Sequence, residues 1–157
     1  MSPARTVIAG VGSEYRRDDG AGVAVAAEVA ARQAGTVDVG PVGEPLDLLG
    51  RWDGADLAVV VDAVRSGAPP GTVSVVEVGP DGAAAEATPG TSTHGIGLVG
   101  TYRLARATGS APRRLVLVCV EGADFGDGSG LSPAVATAVP EAARAVIELV
   151  RGGAPCA

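Results

Sequence analysis

The chain has 157 residues, the length of one domain with a real core and no room for a second. A formal charge of -6 and a pI near 4.7 exclude a nucleic-acid or anionic-membrane surface, which would need a basic face, and leave Arg103, Arg106, Arg113 and Arg114 as a solvated cluster. All 12 basic residues are arginine, which excludes a P-loop lysine, a Schiff-base lysine and a Ser-Lys dyad.

Residues 6–12 are nearly all apolar, as in a strand buried on both faces, and they end in the turn Gly10-Val11-Gly12. The acidic pair Asp18-Asp19 then opens a helix whose expected core face is Val23, Ala26, Ala27, Ala30 and Ala31, with Gly35 as its stop. Taken alone, the pair reads as capping chemistry, because carboxylates at a helix start satisfy orphan N–H groups and complement the dipole. Residues 36–40 predict a short strand, Gly40-Pro41-Val42-Gly43 a turn, and residues 45–52 a short helix. The strongest strand signal is 56–62, which ends in Asp62.

The link that follows contains Pro69-Pro70-Gly71 and cannot be helical, so the strand predicted at 72–78 runs antiparallel to the one before it. The chain therefore leaves that strand at the pole opposite Asp62. Roughly a dozen residues at about 3.3 Å each let the following loop return past a strand of about 20 Å, which brings His94, the only histidine, to the Asp62 pole. A helix is predicted over 96–107 with Ile96, Val99, Gly100 and Leu104 inward, and a last strand over 114–121 with Cys119 buried and neutral within it. Ser132-Pro133 reads as an N-cap and first-turn proline. Pro140 is expected to break or kink the segment, giving a short turn, then a main helix over 141–150 and a disordered tail from about 152.

Strands alternating with helices predict a three-layer αβα domain on a mixed, mostly parallel sheet of about five strands. In such sheets ligands bind beyond the carboxyl ends of the strands, where Asp19 and Asp62 stand. Two carboxylates and one imidazole suit a divalent first-row metal such as nickel or zinc, with coordination positions left open. His94 read in isolation is also a plain helix-entry residue. Gly90-Thr91-Ser92-Thr93-His94 lacks the last glycine of a nucleophile elbow, and Gly10-x-Gly12 lacks the third glycine of a dinucleotide fingerprint. Two cysteines make no disulfide framework. With no leader and no apolar stretch near the roughly 18 residues of a membrane span, a cytoplasmic protein is expected.

Gly10-Val11-Gly12-Ser13 through Asp18-Asp19-Gly20-Ala21-Gly22, Val59-Val60-Val61-Asp62-Ala63-Val64 with Pro70-Gly71-Thr72-Val73, Ser92-Thr93-His94 with Gly97-Leu98, and Gly130-Leu131-Ser132-Pro133 follow one another along nearly the whole chain. In that order and spacing they resemble the hydrogenase maturation proteases, which trim the precursor of the [NiFe]-hydrogenase large subunit. The resemblance implies that Asp19, Asp62 and His94 are the metal-binding and catalytic residues, with Asp18 a cap or a support behind them. It also implies a nickel ion supplied by the loaded precursor, zinc or cadmium being able to take its place, and removal of the precursor's C-terminal peptide by hydrolysis. Ser13, Gly95 and the 40–43 turn depart from the family pattern, and Gly40, Gly43 and Gly95 are expected to line the substrate groove. Two other functions fit the same residues: a nickel-dependent chaperone that holds the precursor without cutting it, and a small-molecule hydrolase or phosphorylase. The acidic mouth disfavours the phosphorylase by repelling phosphate.

Overall fold

The computed structural model of the protein describes residues 5–33, 37–79 and 97–152. Strands β1 (Thr6–Val11), β2 (Asp38–Val42), β3 (Leu57–Val64), β4 (Val73–Val78) and β5 (Arg114–Glu121) form one sheet in the order β2-β1-β3-β5-β4. All pairings are parallel except that of β4 with β5, so the sheet is mixed and mostly parallel, as expected. Helices α1 (Ala21–Arg32), α2 (Leu48–Trp52), α3 (Gly97–Thr108) and α4 (Pro133–Gly152) cover its two faces.

The central strands are continuous apolar runs because both of their faces are covered. Alternate residues go to opposite sides: Ile8, Val59, Val61 and Val118 pack with Val25 and Val29 of α1 and Val135 and Val146 of α4. Val7, Val60, Leu117 and Cys119 pack with Leu48, Trp52, Tyr102 and Ala105 on the other face. There Trp52 and Tyr102 meet edge to face at 6.2 Å. None of the described helices is long and apolar enough to cross a membrane.

Several local expectations are corrected. β2 extends through Gly40-Pro41-Val42, which is strand and not turn; Pro41 is tolerated because β2 is an edge. β3 continues two residues past Asp62, since Asp62, Ala63 and Val64 still pair with Cys119, Val120 and Glu121. β4 does run opposite to β3, but β5 lies between them. In α1 the buried stripe is Ala21, Gly22, Val25, Ala26 and Val29, and in α3 it is Thr101, Tyr102 and Ala105 with Leu104 exposed; both are rotated from the stripes expected. The larger apolar side chains, not the alanines, decide which way α1 faces. Pro140 lies inside an unbroken α4 on its exposed side. His94, Gly95, Ile96, Gly35, Cys156 and the tail beyond 152 lie outside the described residues.

Register fixes the two poles of the sheet. Val78 of β4 pairs with Leu115 near the start of β5, so the chain leaves β4 at the pole where the parallel strands begin. The end of α3 is joined to β5 by residues 109–113, so α3 runs back against β5 and starts, at Gly97, toward the pole where the parallel strands end.

Candidate active site

At that pole a 3-10 turn, Arg17–Gly20, carries the acidic pair between β1 and α1. Glycines set its position. Gly12 has φ +134, and a Cβ there would lie 2.0 Å from the Asp19 carbonyl oxygen, so only glycine lets the turn fold back over the end of β1. A Cβ on Gly22 would lie 2.3 Å from the Val61 carbonyl oxygen, which shows how closely the first turn of α1 rests on β3 at the residue before Asp62. The turn itself lies against β3. Asp19, three residues before Gly22, and Asp62, one after Val61, are thus delivered to one end of the sheet by neighbouring strands.

The two members of the pair do different work. Asp18 Oδ2 accepts from the N–H groups of Ala123 and Asp124 at 2.8 and 2.9 Å and from the Ser132 hydroxyl at 2.8 Å, while Oδ1 accepts from the Ser132 N–H at 2.7 Å. It is fully buried. Burial alone would raise its pKa, but the hydrogen bonds from Ser132, Ala123 and Asp124 outweigh that and hold it below the ordinary carboxylate value. Asp18 is a buckle that ties the β1–α1 turn to the β5–α4 loop and to the entrance of α4. The N-cap position of α1 is Gly20, which has no side chain to supply a cap, and the donors to Asp18 all lie outside α1.

Asp19 is 1% exposed, and its Oδ2 accepts from the Ser13 N–H at 2.9 Å, which orients the carboxylate. Asp62 lies on the α2/α3 face of the sheet, directly across from Cys119 on β5. Burial first, then the Asp62 and Glu121 carboxylates, push the Cys119 thiol up to about 12, so it stays protonated and inert at neutral pH, as read from its apolar neighbours. Among the described residues no three histidine, cysteine or carboxylate side chains form a metal-holding group, His94 being outside them. Gly43 lies past the end of β2 with open space around it, whereas Gly40 sits in mid-strand opposite Ala9 and beneath the Arg51 guanidinium.

One carboxylate was not singled out from the sequence. Glu121, the last residue of β5, is buried and binds Ser66: its Oε2 accepts the backbone N–H at 2.8 Å and its Oε1 accepts the hydroxyl. The available signal was an acidic residue closing an apolar strand, the same signal that marked Asp62. Beside the Asp19 turn, on the outer side of α1, a groove of about 250 Å³ is lined by Glu14, Arg17, Gly20, Val23, Ala24, Ala27, Gly130 and Leu131.

The family model described as hydrogenase maturation protease matches residues 25–149, a span that contains Asp62 and His94 and begins just after the acidic pair. No curated protein matches the chain. Among solved structures it is similar to the hydrogenase maturating endopeptidase HybD from E. coli, at 25% identity and a TM-score of 0.81 over 95% of this chain and 93% of that one. It is also similar to the [NiFe] hydrogenase maturation protease HycI from Thermococcus kodakarensis, at 28% identity and a TM-score of 0.73 over 94% and 93%. An endopeptidase from Escherichia coli matches at 26% identity and a TM-score of 0.82 over 95% and 93%. With the family model spanning most of the sheet and helices and the structural likeness covering the acidic turn ahead of it, the chain belongs to the hydrogenase maturation protease family and is a peptidase.

Proposed function

We propose that this peptidase removes the C-terminal extension of a nickel-loaded [NiFe]-hydrogenase large-subunit precursor in the cytoplasm, and that Asp19, Asp62 and His94 meet the nickel carried by that substrate. The observation that supports it most is the delivery of two buried carboxylates, from separate strand ends, to one pole. His94 precedes Gly97, the start of α3, by three residues, and α3 starts toward the same pole. The donor set fits a borderline divalent cation: two carboxylates, that of Asp19 oriented by the Ser13 N–H, and an imidazole would make a mixed oxygen and nitrogen group. Zinc or cadmium would satisfy the same donors.

In this reading the precursor brings the cation and the enzyme brings the remaining ligands, so a precursor without nickel binds poorly. Bound nickel supplies positive charge that can draw electrons from a neighbouring carbonyl. Hydrolysis requires water to add at the scissile carbonyl carbon and a proton to reach the departing amine as the C–N bond breaks. A carboxylate beside that bond can take the proton from the water and pass it on. The Ser13 N–H keeps Asp19 oriented, and the Asp18 buckle keeps the turn that carries Asp19 closed over the sheet.

The test is the mass of the product after incubation with nickel-loaded and nickel-free precursor. Loss of the extension from the loaded form alone is expected, and Asp62→Asn should lower that rate at least about 100-fold, the scale set for loss of a positioned proton-transfer group. An intact loaded precursor, under conditions where a control protease cuts it, would overturn the proposal. A tight complex with unchanged mass would instead establish a non-cleaving chaperone.

A further inference from the structure

Arg65 follows β3 directly, three residues beyond Asp62, and is exposed at the same pole. Its guanidinium carbon lies 4.7 Å from the centroid of the Phe125 ring, and Phe125 is buried beneath it. The neighbouring residue is pinned, because both oxygens of the buried Glu121 carboxylate accept hydrogen bonds from Ser66. That carboxylate is therefore occupied, and among the described residues Arg65 forms no ion pair. Arg17, by contrast, is paired with Asp124 at 3.5 Å, and among the described residues no ring lies beneath Arg16.

An exposed arginine with no task is normally free among many rotamers, and that side-chain entropy opposes holding it in one geometry. Here an anchored backbone and an aromatic platform restrict it. The ring takes one flat face of the guanidinium, and the N–H edge, the part that recognises carboxylates in bidentate fashion, stays available. The surroundings make such a cation useful. A chain of charge -6 with Asp19 and Asp62 at this pole repels an anionic ligand except where a positive group offsets it.

We propose that Arg65 is a specificity-determining residue that binds a carboxylate on the part of the peptide substrate beyond the scissile bond. The carboxylate is either an acidic side chain of that segment or the terminal α-carboxylate. This rests on the peptidase reading above. The test uses the full chain and the nickel-loaded precursor of the same organism in three forms: with its native extension, with Asp and Glu of the extension changed to Asn and Gln, and with the extension closed as a C-terminal amide by ligation.

Arg65→Met keeps the cover over Phe125 and should raise KM about tenfold or more on the native extension with kcat within about twofold, the size expected for one charge-assisted hydrogen bond. Arg65→Lys should restore part of the loss. One of the two neutralised precursors should show the same rise with wild-type enzyme and no further rise with Arg65→Met, which identifies the side-chain or the terminal source. An unchanged KM for Arg65→Met, or a loss confined to kcat, overturns the assignment. If wild type leaves every extension in place, the peptidase reading fails. The dissociation constant of the precursor complex then decides for Arg65: about tenfold weakening in Arg65→Met supports the contact, and an unchanged value rejects it.

Discussion

Asp18 and Asp19 are adjacent, alike in chemistry and both buried, yet their partners separate them. Asp18 has its oxygens filled by four donors of its own chain that lie across the fold, whereas Asp19 accepts from the nearby Ser13 N–H. Replacing Asp18 by Asn turns one acceptor into a donor that opposes N–H groups, and should cost about 2–4 kcal/mol, the range for losing hydrogen bonds to a charged group and leaving donors unsatisfied. Denaturant unfolding of Asp18→Asn beside wild type measures it. The sign with pH follows from the lowered folded pKa: the Asp18 contribution is fully present above the ordinary value of 3.8 and is lost as pH falls through the folded value below it. The variant should therefore lose less stability than wild type on acidification through that window, and parallel acid limbs would show that Asp18 is not the group involved. The sequence marked both carboxylates but could not divide their roles, because the donors at 123, 124 and 132 are more than a hundred residues away along the chain.

Elements were legible where burial is two-sided and blurred where it is not. β1, β3 and β5 stand out as apolar runs because they are central, while β2 holds Gly40 and Pro41 and looks like a turn because it is an edge. The α1 stripe was misread because so many of its positions are alanine or glycine that several rotations look equally apolar; Val25 and Val29 decide it. The pairing of β4 with β5 is non-local and leaves no trace in spacing. Pro140 reads as a break or kink ahead of the main helix, but it removes only one backbone donor on the solvent side, and Val135, Ala138, Ala142 and Val146 pack the helix on the core from both sides of it. Pro140→Ala should then stabilise the protein by about 1–3 kcal/mol, raising Tm by roughly 2–4 °C for each kcal/mol. A lower Tm would show that the proline fits a shape that alanine cannot keep. Gly22→Ala should do the reverse, costing about 3 kcal/mol or more, because its Cβ would have to displace the Val61 carbonyl. As that carbonyl adjoins Asp62, activity should fall as well; a variant with wild-type stability and rate would mean that α1 can lift from the sheet without cost.

At the scale of the molecule, one sheet carries two apolar clusters, and the active pole is built where both meet the ends of the strands. α1 and α4 belong to one cluster, α2 and α3 to the other, and the central strands contribute alternate residues to each. Neither cluster can keep its strand residues ordered if the other face is exposed, since one backbone holds both sets. The two faces should therefore unfold together. The only tryptophan, Trp52, lies wholly buried in the α2/α3 cluster, whereas most of the helical residues are in α1 and α4 on the opposite face. Tryptophan fluorescence and far-UV circular dichroism thus report on different sides of one sheet. Their denaturant midpoints should coincide, with a single cooperative transition. If the fluorescence changed at a clearly lower denaturant concentration while helicity persisted, the α2/α3 layer would be a separate, weaker unit. The pole that depends on Asp62 could then open without global unfolding.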